Sequence, residues 1–307
     1  MDPDVIIVGG GPAGISSLVW CNDLRLNAVL LERRNELGGQ LLHIHNQIDN
    51  YLGVPAPDGR SLRDKFISNI DPRLLRKVLT VEVKSIDFRE KKVSFSDGGE
   101  LPWRSLIIAT GLRRRKLGAP GEDEFIGRGI LNSGAGEKDS VTGRSVVVVG
   151  GGDAAMENAV MLSEVANRVT VVHRRDTFSA RPSFVEAALA RPNVDFLTNA
   201  KVTAIVGTGR LEEIVVDLQD GSRRSIAAHF LLVRIGFSPN SELIQNQAAV
   251  DDSGYIIVDS KCMTDLSNVY AVGDVANPIS PTISSATGMG ATAAKAVLDC
   301  LSRNRVK

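Results

Sequence analysis

The sequence predicts an α/β fold built on two copies of one strand–turn–helix–strand unit, and three observations carry that prediction. The stretch DVIIVGGGPAG, residues 4–14, is written again as SVVVVGGGDAA, residues 145–155. In both copies four apolar residues, Val5–Val8 and Val146–Val149, run directly into the glycines. The frame then holds: the next apolar run, Ala28–Leu31, ends at Glu32, and Val169–Val172 ends at His173, 141 positions later. Short apolar runs bounded by glycine read as strands buried on both faces of a parallel sheet.

The turn between strand and helix has a specific physics. Gly9, Gly11 and Gly14 form GxGxxG, and Gly150, Gly152 and Ala155 form GxGxxA. The first glycine permits a tight turn, the second lets backbone approach a pyrophosphate, and the third position must be small for the helix to pack on the strand. Free N–H groups and the positive dipole end of the helix then face the phosphates. Pro12 and Ala13 open the first helix, and Asp153 and Ala154 open the second. The motif, its strand and a polar residue at the end of the next strand recur together, so two Rossmann-like dinucleotide units are expected.

The copies differ where a ribose is recognised. The first second-strand ends at Glu32-Arg33-Arg34, and a carboxylate there accepts from the ribose hydroxyls while repelling a 2′-phosphate. That suits FAD or NAD. The second copy ends at His173-Arg174-Arg175, with Arg181 shortly after and no carboxylate at the ribose position, a set suited to the 2′-phosphate of NADP. Charge-assisted bonds from two arginines, each worth about 1.5–3 kcal/mol, favour NADPH over NADH by roughly 100-fold. Another adenine dinucleotide, even a second FAD, also satisfies a site that recognises phosphate.

The remaining elements repeat as well. Residues 78–105 alternate apolar and polar around the turn Ser96-Asp97-Gly98-Gly99 and read as an antiparallel meander before the buried strand Leu106–Ala109. Residues 201–226 do the same before Phe230–Ile235. A short strand is expected near Tyr255–Val258, ahead of Val269-Tyr270-Ala271-Val272-Gly273-Asp274, and a long small-residue helix at about Ser284–Leu301.

Composition excludes several classes. The 307 residues suit about two domains. Lys+Arg and Asp+Glu each number 36, so no global field draws the chain to nucleic acid or anionic membrane. The N-terminus is neither a basic leader nor a membrane span, and a cytoplasmic location is expected. Cys21, Cys262 and Cys300 are far apart and form no CxxC or zinc spacing, so they read as packing residues and no metal site is expected.

With these residues in hand, the chain resembles the low-molecular-weight thioredoxin reductases over essentially its whole length. Besides the two glycine motifs, the resemblance rests on Gly38-Gly39-Gln40-Leu41, Asn50, Ala109-Thr110-Gly111, Ile235-Gly236-Phe237-Ser238-Pro239-Asn240 and Gly273-Asp274. It implies two Rossmann-like, three-layer ββα domains, an NADPH domain at 113–240 inserted into a discontinuous FAD domain at 1–112 and 241–307, and a homodimer. It also implies that Gly9, Gly11, Pro12, Ala13, Gly14, Glu32, Arg33, Gly39, Gln40, Leu41, Asn50, Ala109, Thr110, Gly111, Gly273, Asp274, Thr282 and Ile283 hold FAD. Gly150, Gly152, Asp153, Ala154, His173, Arg174, Arg175, Arg181 and Gly236 are implied along NADPH.

Two departures qualify the resemblance. Where the family carries a redox-active CxxC, this chain reads Gly129-Ile130-Leu131-Asn132-Ser133-Gly134-Ala135-Gly136-Glu137-Lys138, without cysteine. Disulfide exchange needs an attacking thiolate, so the family's route to thioredoxin is excluded. Before the last helix, Pro281-Thr282-Ile283 stand where the family usually has Arg-Gln. The cysteine-less branch of this fold contains ferredoxin/flavodoxin–NADP reductases, many of which continue past the last helix with a flavin-covering aromatic residue; this chain reads Arg303-Asn304-Arg305-Val306-Lys307 there. The expectation is an FAD-dependent, NADPH-linked oxidoreductase with no catalytic dithiol and an external acceptor, ferredoxin or flavodoxin first and a quinone or diaphorase-type acceptor second. A nucleotide-binding redox sensor stays open. Arg113-Arg114-Arg115-Lys116 reads equally as a docking patch for an acidic carrier and as a solvated interdomain linker, and His43 and His45 read as ordinary loop histidines ahead of proton donors beside the flavin loop.

Overall fold

The computed structural model describes residues 2–303, so Asn304–Lys307 lie outside the described residues. Two compact units form, one from the N-terminal segment through Arg113 together with the segment from Ser238 onward, the other from Arg114–Phe237.

The first unit is organised by a five-stranded parallel sheet whose order is Val269–Ala271, Ser105–Ile108, Val5–Val8, Ala28–Glu32, Val78–Thr80. Every residue of Val5–Val8 is buried. On one face Val5 and Ile7 pack with helices Pro12–Asp23 and Ile283–Arg303. On the other, Ile6 and Val8 pack with Val93 and Phe95 of a three-stranded antiparallel sheet and with Trp103 just beyond its last strand. That sheet is Val83–Asp87, Lys92–Phe95 and Glu100–Pro102. Each fully buried Ile or Val contributes about 1.5–3 kcal/mol, so the central strand is a major part of the core.

The second unit repeats the plan with the order Val194–Leu197, Arg168–Val172, Ser145–Val149, Phe230–Val233, Ile130–Leu131, again all parallel. Val146 and Val148 face Ala155, Met156 and Leu162 of helix Asp153–Ser163. Val147 and Val149 face the antiparallel sheet Ala200–Val206, Glu213–Leu218, Arg223–Ala227. Even the backbone obeys the repeat: Gly9 N donates to Leu31 O at 2.8 Å, and Gly150 N donates to Val172 O at 3.1 Å. The expected pair of three-layer Rossmann-like domains is therefore what the chain forms.

Two local readings are corrected. Val78–Thr80 belongs to the parallel sheet beside Leu30–Glu32, because the parallel edge offers it a full ladder before the antiparallel meander starts at Val83. Near Tyr255–Val258 there is no strand, only a single bridge from Val250 to Ile256, since the turn at Ser253-Gly254 leaves too little chain to pair. The last helix runs Ile283–Arg303 and is capped by Thr282, whose Oγ1 accepts from Ser285 N at 3.2 Å. Among the described residues no helix is long and apolar enough to cross a membrane.

The contact with least slack is Gly14 on Gly9. A Cβ on Gly14 would lie against the Gly9 carbonyl, far inside van der Waals contact, and both partners are backbone. Gly14→Ala is expected to cost about 2–3 kcal/mol and to lower the melting temperature of the first unit by roughly 5–10 °C in scanning calorimetry. An unchanged melting temperature would show that the turn relaxes freely.

Candidate functional site

In the first unit the carboxyl ends of Val5–Val8, Ala28–Glu32 and Ser105–Ile108 open onto a cleft. It is lined by Gly9, Gly11, Pro12, Ala13, Glu32, Arg33, Gly39, Gln40, Leu41, Ala109, Thr110, Gly111, Asp274, Thr282 and Ile283. Gly14 lies beneath it as packing, and Gly273 supplies a positive-φ turn of +73° that starts the short helix Gly273–Ala276. Asn50 is exposed and does not line the cleft, so the geometry leaves out that expected residue. Pro281, His43, Arg34 and Asn240 do line it.

Each of these side chains is held by an identifiable cause. Glu32 Oε2 accepts from Gly10 N at 2.7 Å and Oε1 from Arg34 N at 2.9 Å, so the carboxylate braces the glycine turn and retains lone pairs toward the cleft. Gln40 Nε2 donates to Leu112 O at 2.7 Å. Asn240 joins the two distant ends of this unit: its Nδ2 donates to Thr110 O at 2.8 Å and its carbonyl accepts from Thr110 Oγ1 at 2.6 Å. The motif of residues 235–240 marks Asn240 but not its place in the cleft, because its partners are 130 residues away. His43 Nε2 sits 3.1 Å from Arg34 Nη1 and must accept there, since a guanidinium only donates; it is an anchor of the cleft wall. His45 is exposed and does not line the cleft.

Asp274 is the polar group with the most to gain from a ligand. It is half-buried in the cleft wall, and burial pushes its carboxyl above the usual range, with no compensating donor among the described residues. A second cavity adjoins the first at Gly9, Glu32, Arg33, Thr110 and Asn240 and continues past Glu32 to Val81, Glu82 and Val83. Those last three residues carry no motif that the sequence could have signalled.

The second unit sets the equivalent groups differently. At the position matching Glu32 on Gly10, the His173 ring lies on Gly151, so close that a Cβ there would collide with it. His173 Nε2 donates to Thr177 O at 3.1 Å, and the ring lies 5.4 Å from that of Phe178. Burial first, then Arg175 and Arg174, hold its pKa below the ordinary histidine value, so the ring is neutral at pH 7. Positive charge at this strand end comes from the exposed Arg174 and Arg175. Arg181 is committed elsewhere: its N and Nε each donate to Asp153 at 2.7 Å, and its guanidinium lies 4.5 Å from the Phe184 ring. Gly236 has φ +91° and accepts from Arg115 N at 3.0 Å.

The cysteine-free segment is a closed polar turn. Glu137 Oε2 accepts from Asn132 N at 2.7 Å and Ser133 N at 2.8 Å, while Ser133 Oγ accepts from Gly136 N at 3.1 Å. Gly134 is pressed on Asn158, leaving no room for a side chain. Arg234, only 9 % exposed, donates to Val233 O at 2.9 Å and Asn132 O at 3.4 Å. Burial and the nearby Arg114 push it down to about 10, still charged at neutral pH. The cysteines are inert: burial pushes Cys21 up to about 12 and Cys262 up to about 11, and Cys300 Sγ donates to Asn268 Oδ1 at 2.8 Å.

The basic run is also spoken for. Arg113 pairs with Glu242 and donates to Asn240 Oδ1, Arg114 stacks on Phe237 at 5.3 Å, Arg115 Nε donates to Phe237 O, and Lys116 pairs with Asp123 at 2.5 Å. Each of the four residues of the run therefore has a partner within its own unit.

The pyridine nucleotide-disulphide oxidoreductase family model matches residues 3–293. The chain belongs to that family. It is 33% identical over 292 residues to a thioredoxin reductase of Listeria monocytogenes, spanning 94% of this chain and 91% of that one. It is 32% identical over 297 residues to a thioredoxin reductase of Bacillus subtilis, spanning 96% and 93%. Its fold superimposes on Lactococcus lactis thioredoxin reductase with a TM-score of 0.83 at 28% identity, covering 98% of this chain and 100% of the other. Thioredoxin reductase family members bind FAD and NADPH.

The cleft fits such a group. Its turn has no room for a Cβ at Gly9, Gly10 or Gly14, and its half-buried Asp274 lacks a donor among the described residues. Because folding raises the Asp274 pKa, the residue costs stability as pH rises above the ordinary carboxylate range and costs none below it. Asp274→Asn is therefore expected to leave the ligand-free protein as stable or more stable at pH 7.5, with the advantage vanishing toward pH 4. Denaturant midpoints at both pH values check this, and a loss at pH 7.5 would reveal a partner for the carboxylate.

Proposed function

We propose that this chain is an FAD-dependent oxidoreductase that takes electrons from NADPH and delivers them to an external one-electron carrier of the ferredoxin or flavodoxin class. The observation that carries the reading is the turn Asn132–Glu137: Glu137 and Ser133 tie the amides of Asn132, Ser133 and Gly136 within it, and it contains no sulfur. A member of this family without a dithiol has no internal acceptor, so the electrons must leave to another molecule.

In this reading Gly9, Gly11 and the N-terminus of helix Pro12–Asp23 face the pyrophosphate of FAD, and Glu32 takes a ribose with its remaining lone pairs. Val81–Val83 would take its adenine end, and Gly39–Leu41, Asp274 and Thr282-Ile283 would hold the rest of the group. Bound FAD supplies hydride acceptance and the release of electrons one or two at a time. Asp274 gains a hydroxyl donor and with it relief from an unpaired half-buried charge. Gly150, Gly152 and the start of helix Asp153–Ser163 receive the NADPH pyrophosphate, and Arg174 and Arg175 receive the 2′-phosphate. His173 acts as a neutral wall that buttresses Gly151.

Anaerobic mixing with NADPH is expected to bleach the flavin absorbance. In Arg174→Ala/Arg175→Ala the NADPH affinity is expected to fall roughly 100-fold, with NADH much less affected. An oxidised spectrum that persists for minutes with NADPH would remove the reductase reading and leave a binding or sensing role. Given bleaching, an acceptor screen is expected to show turnover with ferredoxin or flavodoxin and none with thioredoxin; turnover confined to quinones would move the acceptor to that class.

A further inference from the structure

We propose that Asp153 is a positioning residue that sets nucleotide selectivity by keeping Arg181 out of the 2′-phosphate site. This rests on the NADPH reading of the second unit and goes beyond it. The pair is specific: Arg181 N donates to Asp153 Oδ1 at 2.7 Å, and Arg181 Nε donates to Oδ2 at 2.7 Å. Both carboxylate oxygens are thus engaged by one residue, and the backbone bond draws on the first turn of helix Pro182–Leu189 as well as on the side chain. Stacking on Phe184 at 4.5 Å holds the guanidinium from its other side. The loop carrying Arg174 and Arg175 ends in this clasp, which ties it to the first residue of the glycine-turn helix.

The electrostatic consequence follows from charge counting. Arg181 is the third arginine within nine residues of the strand end, and alone it would add to the anion site. Held by a carboxylate it belongs to a neutral pair, and a phosphate of about −1.5 to −2 charge brought to it would also meet Asp153. Like charges a few ångströms apart oppose that approach even near the surface. Selectivity for the 2′-phosphate is therefore carried by Arg174 and Arg175, with Arg181 held in reserve. Asp153 also stands at the helix N-terminus where the pyrophosphate is expected, so its charge weakens every dinucleotide alike; only the 2′-phosphate term passes through Arg181.

That separation dictates the test: the ratio of affinities for 2′,5′-ADP and 5′-ADP, titrated calorimetrically into the flavin-loaded full chain at one fixed ionic strength. The Asp153→Asn variant keeps the acceptor for Arg181 N but removes the charge. It is expected to raise the ratio by about 3–10-fold, the size of one partly screened surface charge. Arg181→Ala alone is expected to move the ratio less than about twofold, and in the Asp153→Asn background to erase the gain. Two results overturn the proposal: an unchanged ratio in Asp153→Asn with a native melting curve, or a loss of tenfold or more in Arg181→Ala alone, which would make Arg181 a direct phosphate ligand. Arg174→Ala/Arg175→Ala tests the underlying reading separately. If that variant loses the discrimination while Asp153→Asn does nothing, the NADPH reading stands and the role of Asp153 falls. If the unaltered chain does not discriminate the two nucleotides, both fall.

Discussion

Gly14 under the Gly9 carbonyl, and Gly150 against the Arg234 carbonyl, are the contacts on which each unit depends. They let a helix start directly above the end of a buried strand, so that its unpaired N–H groups point into the space at the carboxyl edge of the sheet. Everything the units can bind follows from that placement. The supporting strands are apolar because both of their faces are covered, by helices on one side and by an antiparallel sheet on the other. Rigid layers on both faces leave the turn no direction in which to relax.

Charge is distributed over this shared scaffold in opposite ways. In the first unit a carboxylate occupies the brace above the glycine turn, and a second one, Asp274, is held half-buried without a donor. In the second unit a neutral imidazole occupies the brace, and exposed arginines follow it. One geometry therefore presents two different electrostatic faces, which is the simplest way for a duplicated unit to accept two different dinucleotides. Asp153 runs against the second pattern, and its clasp on Arg181 neutralises the one arginine placed nearest to it.

The Asn132–Glu137 turn is held by side chains from within it and from behind it. Glu137 ties the amides of Asn132 and Ser133, and Arg234 lies behind with its guanidinium on the Asn132 carbonyl. Without sulfur such a turn stores no oxidising equivalents. The three thiols that the chain does contain are packed, hydrogen-bonded or raised out of the reactive range.

Much of this was legible in residues 4–14 and 145–155 and in the 141-residue frame, because a glycine turn between a strand and a helix is a local event whose steric demands are written in adjacent residues. Strand identity, the two-unit plan and the contrast of Glu32 with His173 came from that local grammar, whereas the absence of a CxxC has meaning only beside the family resemblance. The sequence is silent where partners are remote or shared. The partners of Arg181 and of residues 113–116, namely Asp153, Glu242, Phe237 and Asp123, come into view only when they are folded beside them. Asn50 is exposed and lies outside the residues that line the cleft. By itself the sequence determined the backbone scaffold and the kinds of charge available to it. Only the tertiary structure decided which charges remain unpaired, because pairing depends on distances across tens of residues that no local spacing encodes.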